Sequence, residues 1–373
     1  MRLKYLPLAA LLALIGCVPP PNTGEPTPPA SAGLTPISLS ALPGWADDNI
    51  ADALTTFVRG CKAILVMPAD TALGASNNGY IQQIAGQAGL WQPACNAAEA
   101  VPPNDDAAAR TFFTNNFNAY QISNHALITG YFEPQYPGSK NLKPGFTVPL
   151  YAKPADPALA SLSRADIDHG ALNRKTPVTA YLADPVDAFM LQIQGSGRIL
   201  LQNGTTLRVG FDGQNGQPYV PIGHIMVQQG DIPADQVSFQ TISAWLKANP
   251  AQATGIMEQN TRYVFIKPLG PLPDNLGAPG SLGVPVTAGR SLAVDRADIP
   301  LGAPVFLSTT EPTSGNPLNR LTIAQDTGGG IHGTDAADLF FGSGPDAEAS
   351  AGHMMQQGSL FILLPKSPTA PTS

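Results

Sequence analysis

Charge is scarce in this chain: of 373 residues only 13% are Asp, Glu, Lys or Arg, about half the share of an ordinary globular protein. No run of Lys or Arg occurs beyond the extreme N-terminus and the net charge is −7, so no basic face is available to neutralise phosphates and a nucleic-acid partner is excluded. The five histidines (125, 169, 224, 332 and 353) show no His-x-x-x-His, His-Glu-x-x-His or Cys-x-x-Cys spacing, which sets aside metal chemistry and leaves no cofactor to expect. Nor is there a Gly-x-Ser-x-Gly elbow, because Ser196 in "QGSGR" stands one residue out of register for it. Neutral polymers such as glycans stay open as partners. What the chain has in quantity is 38 Pro and 37 Gly, and such punctuation implies short elements.

The N-terminus carries Arg2 and Lys4 and then an apolar stretch from Leu6 to Ile15, too short to span a bilayer but suited to an export signal over 1–16. Its end, Leu14-Ile15-Gly16-Cys17, resembles the bacterial lipobox, which makes Cys17 the expected lipid attachment point. Val18 after the cysteine favours the outer membrane by resemblance to bacterial sorting rules. A Pro-rich tether follows, lacking aromatics through residue 35 and assigned to about residue 38. Only three cysteines exist, so Cys61 and Cys95 remain, either as a disulfide suited to an oxidising compartment or as two buried thiols.

The folded part opens with helical spacing at Trp45, Ile50, Leu54, Phe57 and Val58, with Asp47 and Asp48 near the helix start. From Leu127 the texture becomes β: "HALITGYFEPQY", "FTVPLYAKP", "DAFMLQIQGSGRILL" and "TLRVGFD" read as strands. One helix is expected over 238–250, ending at Asn249-Pro250. Beyond it "RYVFIKP", "SLAVD", "APVFLS", "RLTIAQD", "DLFFG" and "SLFILLP" give six candidate strands without a helix long enough for crossovers, a compact barrel pattern. Residues 367–373 read as a disordered tail.

Chemistry concentrates in "IAQDTGGGIHGTDAADLFFGSG", residues 323–344, where Asp326, Asp335 and Asp338 stand among glycines. An apolar strand ending in Asp-Thr-Gly resembles the catalytic loop of aspartic proteases, but two such loops are needed and one is present, so a protease would have to be a dimer. Glycoside cleavage needs a carboxylic acid for the departing oxygen, and hydrolysis a second carboxylate. Asp326 and Asp338 would converge if the glycine turn folded back as a hairpin between "LTIAQ" and "DLFFG". Asp326 also suits bracing of its own loop, and Asp335 a plain turn.

Several long motifs appear in order: "TGYFEPQYPGS" (129–139), "PVDAFMLQIQGSGR" (185–198), "RVGFDGQNGQPYVPIG" (208–223), "SLAVDRADIPLGAPVFL" (291–307) and "AQDTGGGIHGTDAADLFFGSG" (324–344). Together they resemble the membrane-bound lytic murein transglycosylase A family over about residues 40–365. The resemblance implies a mainly β fold with a few N-terminal helices: a double-psi β-barrel from 39–135 and 257–366, and a smaller β domain inserted at 136–256, with glycan in the groove between. It implies a peptidoglycan lytic exotransglycosylase that cuts between N-acetylmuramic acid and N-acetylglucosamine without water, giving 1,6-anhydromuropeptides. Asp338 is the implied catalytic residue and Asp326 its support. Thr129, Tyr131, Glu133, Gln192, Gln194, Ser196, Gly197, Thr327 and Gly328 are the expected groove residues. If Glu133 faced Asp338, ordinary hydrolysis would return as the chemistry. The sequence departs from the family pattern at Ala336 and His332, where basic residues are common, and at Gly330, where Ala is common.

The expected location is the periplasmic face of the outer membrane, with murein strands as substrate, outer-membrane lipid as anchor, and other murein-processing enzymes as further partners. A monomer is the default for an enzyme on an immobile polymer. The competing readings are a peptidoglycan hydrolase on the same fold and a non-catalytic murein-binding lipoprotein.

Overall fold

A computed structural model describes residues 33–366. The signal segment, Cys17, most of the tether and the 367–373 tail lie outside the described residues. The part of the tether that is described, β1 (Thr35–Ile37), pairs antiparallel with residues 119–121.

Four helices follow: α1 (Ile50–Ile64), α2 (Gly79–Ala85), α3 (Ala88–Glu99) and α4 (Asp106–Asn116). Asn49 caps α1 by accepting from Asp52 N, and Asp105 caps α4 by accepting from Ala108 N at 2.9 Å, each satisfying an amide that the first turn leaves open. The α1 stripe Ile50, Leu54, Phe57, Cys61 and Ile64 is buried at the i, i+4, i+7 spacing of one helix face. Phe57 there meets Phe112, Phe113 and Phe117, with ring centroids 5.7–5.9 Å apart. Cys61 and Cys95 are disulfide-bonded, tying α1 to α3. Asp48, expected to serve the helix dipole, is instead buried against Arg290 and accepts from Leu321 N at 2.7 Å, because the helix begins two residues later at an Asn cap.

The chain then enters β2 (Phe117–Glu133), which starts ten residues before the sequence texture suggested. The next elements are β3 (Gln135–Ser139), β4 (Val148–Tyr151), α5 (Pro157–Ala160), α6 (Arg164–Asp168), β5 (Val178–Leu182), α7 (Pro185–Gln194), β6 (Ser196–Leu201), β7 (Thr206–Gln214), α8 (Ile222–Gln229), α9 (Phe239–Ala248), α10 (Pro250–Met257) and β8 (Val264–Pro268). After these come β9 (Leu276–Pro279), β10 (Pro285–Thr287), β11 (Ser291–Ala293), β12 (Pro304–Thr310), β13 (Pro317–Asp326), β14 (Ala336–Ser343), α11 (Pro345–His353) and β15 (Met355–Pro365).

Two main sheets result. One runs β1-β2-β14-β11-β13-β12-β15, and β15 also pairs with β2, so six strands close on themselves. Closure removes the free edges that an open sheet exposes. Within it β14 runs parallel to β2 and β11 parallel to β13, which fits the double-psi expectation. Ile128, Leu292, Val305, Leu321, Ile323, Leu339, Leu360 and Ile362 belong to its fully buried core.

The other sheet is β4-β5-β3-β6-β7-β8. It extends to Pro268, past the boundary at 257 that the sequence suggested, because β8 pairs with β7. Residues 187–194, expected as part of a strand, lie in α7: Asp184 caps it by accepting from Val186 N at 2.8 Å and Pro185 occupies its first turn. It packs Ala188 and Leu191 on this sheet, and Val186, Phe189 and Met190 on α8, α9 and α10.

Candidate active site

Asp326 and Asp338 come together through a strand between them, not through a hairpin. Ala293 on β11 is in register with Asp326 on β13 and with Asp338 on β14, so both carboxyls sit on one row, with backbones roughly 10 Å apart across two strand spacings. On the far side Asp338 is in register with Thr129 of β2, and Phe340 with Tyr131. Strand alternation puts Asp338 and Phe340 on the face opposite the core residues Ala337 and Leu339. Tyr131 and Phe340 stack obliquely, ring centroids 5.0 Å apart.

Asp326 is held by four donors. Its Oδ1 accepts from Ser281 N and Ser281 Oγ at 3.0 Å and from Thr327 N at 2.9 Å, and its Oδ2 accepts from Tyr131 OH at 3.1 Å. Burial pushes this carboxyl up and these donors oppose it. Thr327, exposed, shares a 2.6 Å hydrogen bond with Ser281. Gly328 faces Ile331, whose Cδ1 would lie 2.8 Å from any Cβ there. The loop beyond is anchored by Gly333 N donating to Asp295 Oδ2 at 2.9 Å.

Asp338 is treated differently. Its side chain reaches the surface in part, yet Oδ1 is buried and has no hydrogen-bond partner among the described residues. Burial pushes the carboxyl up to about 7; hydrogen bonding by Thr129 opposes the shift and the Asp326 charge adds to it. A carboxylic acid protonated near neutrality, beside a carboxyl that is pinned by donors, can give a proton and later take one back.

The other expected groove residues are held within the fold. Glu133 is wholly buried; it accepts from Arg198 Nε at 3.0 Å, Arg208 Nη2 at 2.9 Å and Ala278 N at 2.7 Å. It joins the end of β2 to the second sheet and to β9, and does not face Asp338 as a second carboxylate. Gln192 is buried in α7, its Oε1 accepting from Arg164 Nη2 at 2.9 Å. Gln194 Oε1 accepts from Phe132 N at 3.0 Å, so it braces β2. Ser196 and Gly197 are buried at the start of β6. A Cβ on Gly197 would sit 2.7 Å from Leu191 Cδ1, and the left-handed residue of "QGSG" is Gly195, which ends α7. Asp335 is structural: its carboxyl accepts from Ser123 Oγ at 2.7 Å and its backbone carbonyl from Leu127 N at 2.8 Å.

Two residues of the site had no individual signal in the sequence. Ser281, at the tip of the β9–β10 hairpin, supplies two of the donors to Asp326. Tyr219, from the second sheet's side, packs on Gly330, where a Cβ would meet its Cε1 at 3.3 Å. Among the described residues no group of three or more His, Cys, Asp or Glu is placed to hold a metal ion.

The profile of the MltA specific insert domain matches residues 127–165 and 158–267, and that of the 3D domain matches 290–364. The chain is 32% identical over 253 residues to membrane-bound lytic murein transglycosylase A of Vibrio cholerae, the match covering 66% of this chain and 67% of that one. A crystal structure of a membrane-bound lytic murein transglycosylase from Agrobacterium tumefaciens superposes with TM-score 0.79 at 26% identity, covering 89% of this chain and 97% of that one. MltA from Neisseria gonorrhoeae superposes with TM-score 0.75 at 28% identity, covering 93% and 96%.

Proposed function

Because the chain belongs to the membrane-bound lytic murein transglycosylase A family, we propose that it is a lytic transglycosylase that cleaves peptidoglycan between N-acetylmuramic acid and N-acetylglucosamine without water. Asp338, protonated, donates to the glycosidic O4 as the C1–O4 bond breaks. The resulting carboxylate then takes the proton from the muramic acid O6 as that oxygen bonds to C1 and closes a 1,6-anhydro ring. One carboxyl suffices because the nucleophile belongs to the substrate and is already close. Asp326 supports it as a fixed neighbour that Ser281, Thr327 and Tyr131 hold in place, and Thr129, Tyr131, Thr327 and Gly328 are the groove residues this reading retains.

The observation that carries the proposal is the unpartnered, buried Oδ1 of Asp338 in a carboxyl pushed up to about 7. Hydrolysis on the same fold would need a second carboxylate free to act on water. Glu133 is committed to two arginines and Asp326 to four donors, which favours intramolecular capture. Digestion of purified murein in heavy-oxygen water tests this: the expected products are one water lighter than reducing ends and carry no label, and labelled reducing ends would identify a hydrolase. Failure of Asp338→Asn to reduce release would sink the role of Asp338. Lipidation of Cys17 at the periplasmic face of the outer membrane, a monomeric state and association with other murein-processing enzymes complete the proposal.

A further inference from the structure

We infer that Tyr219, carried on the segment between β7 and α8, is a positioning residue that closes the second sheet's side of the groove and shields the Asp338 carboxyl from water; this rests on the acid and base role proposed for Asp338. The segment is rigidly built. Val220 N donates to Asn260 Oδ1 at 3.1 Å, Thr261 Oγ1 to Pro218 O at 3.1 Å, Arg262 Nε to Gln217 O at 3.0 Å, and Tyr263 N to Asn215 Oδ1 at 2.9 Å. The surface it meets is equally fixed, since the glycine loop is anchored at Asp326 on one side and at Asp295 on the other.

Between these two frames the tyrosine ring lies on Gly330, with 3.3 and 3.5 Å from its Cε1 and Cδ1 to where a Cβ would stand. At Gly329 a Cβ would lie 3.7 Å from Tyr219 Cβ and would run into Arg262. The two glycines therefore leave room for Tyr219 to pack against the loop that leads to β14. Burial, and after it the Asp338 charge, push the Tyr219 hydroxyl up, with Arg262 opposing, which puts the ring within electrostatic reach of that carboxyl. The other charged or titratable neighbours are Asp326 from β13 and Tyr131 from β2. Asp326 and Tyr131 stand on strands of the closed sheet, whereas Tyr219 comes from the segment that follows β7 of the second sheet.

The test is the pH dependence of kcat/KM for muropeptide release by the full chain, in wild type, Tyr219→Ala, Tyr219→Phe and Gly330→Val. Wild type should lose activity as pH rises through about 7, where the acid ionises. Rehydration in Tyr219→Ala should move that midpoint down by about one unit, a roughly tenfold loss above neutrality with a much smaller loss at low pH. Tyr219→Phe, which keeps the ring, should restore the wild-type midpoint, and Gly330→Val, which wedges the ring away without touching residue 219, should lower it. A wild-type midpoint in a folded Tyr219→Ala overturns the inference, and if that variant does not fold, a wild-type midpoint in Gly330→Val does so. Absence of release by wild type, or undiminished release by Asp338→Asn, would instead mark failure of the functional reading on which this one stands.

Discussion

Glu133 ends β2, and Asp338 lies in the middle of the neighbouring strand β14, yet their surroundings are opposed. Glu133 is enclosed by Arg198, Arg208 and the Ala278 amide, whereas Asp338 has an oxygen with no donor at all among the described residues. Glu133 is wholly buried and Asp338 half-buried with its Oδ1 sealed off, so both carboxyls are at least partly withdrawn from water. What differs is compensation. Two guanidinium groups and a backbone amide answer the carboxyl of Glu133, whereas Asp338 has no ion pair among the described residues and burial pushes its carboxyl up to about 7. The first arrangement holds two sheets together; the second stores a proton. Asp326 falls between them, half-buried and supplied with four donors.

The contrast is broken most directly at Asp338. Replacement by Asn keeps size and removes the proton, and should lower muropeptide release about 10³-fold, in the range for loss of general acid–base catalysis, with sacculus binding retained in a pull-down assay. Equal loss of binding would assign the residue to the groove's shape and not to proton transfer.

At Glu133 the expected damage is to the fold. Glu133→Ala leaves two arginines at the junction of the sheets without their anion and should cost about 3–5 kcal/mol in a denaturant titration, while any remaining activity keeps its wild-type pH midpoint. A shifted midpoint with unchanged stability would mean that Glu133 speaks to Asp338 after all. Opening the Cys61–Cys95 bridge, which closes 34 residues of sequence, should cost about 3–4 kcal/mol by the chain-entropy argument and leave the pH midpoint where it was, since the bridge ties α1 to α3 and not to the strands β2 and β14 that carry the two carboxyls.

A pH-dependent effect on stability sharpens the comparison further. A carboxyl raised in the folded state binds its proton more tightly there than in the unfolded chain, so its contribution is present at low pH and is lost as pH rises from the unfolded value near 4 through about 7. Thermal denaturation should accordingly show Asp338→Asn gaining about 4 kcal/mol on wild type at pH 7.5 and little at pH 4. A gain that does not change with pH would deny the raised carboxyl.

Much of the barrel was legible because its strands are short β-branched or aromatic runs between turn residues, as in Leu321–Asp326 and Leu360–Leu364. The helix at Phe239–Ala248 was legible from its apolar spacing and its Asn-Pro stop. α7 was not, because it is buried between two clusters, against the sheet on one side and α8, α9 and α10 on the other. "DAFMLQIQ" thus lacks the polar face that reveals a helix, and the readable sign was Asp184-Pro185 at its start. Asp326 and Asp338 stood out in the sequence, but how they are brought together did not: β11 intervenes by parallel pairing with β13, which no local pattern announces. Glu133 looked like a groove residue because its arginines are 65 and 75 residues away in sequence. Tyr219 stood inside a recognised motif without any feature that set it apart, since its role comes from a contact with a loop more than a hundred residues later.

The ring formed by β2, β14, β11, β13, β12 and β15 has a consequence for heredity of the site. A strand in an open sheet can slide along its neighbour by a residue pair and lose only the pairing at its ends. In a cylinder, a slide at one seam must be matched at all the others. Ala293, the alanine that both aspartates flank, is thereby indexed from two directions at once, and mutations scattered round the cylinder can wear down its packing without throwing its two acids out of step.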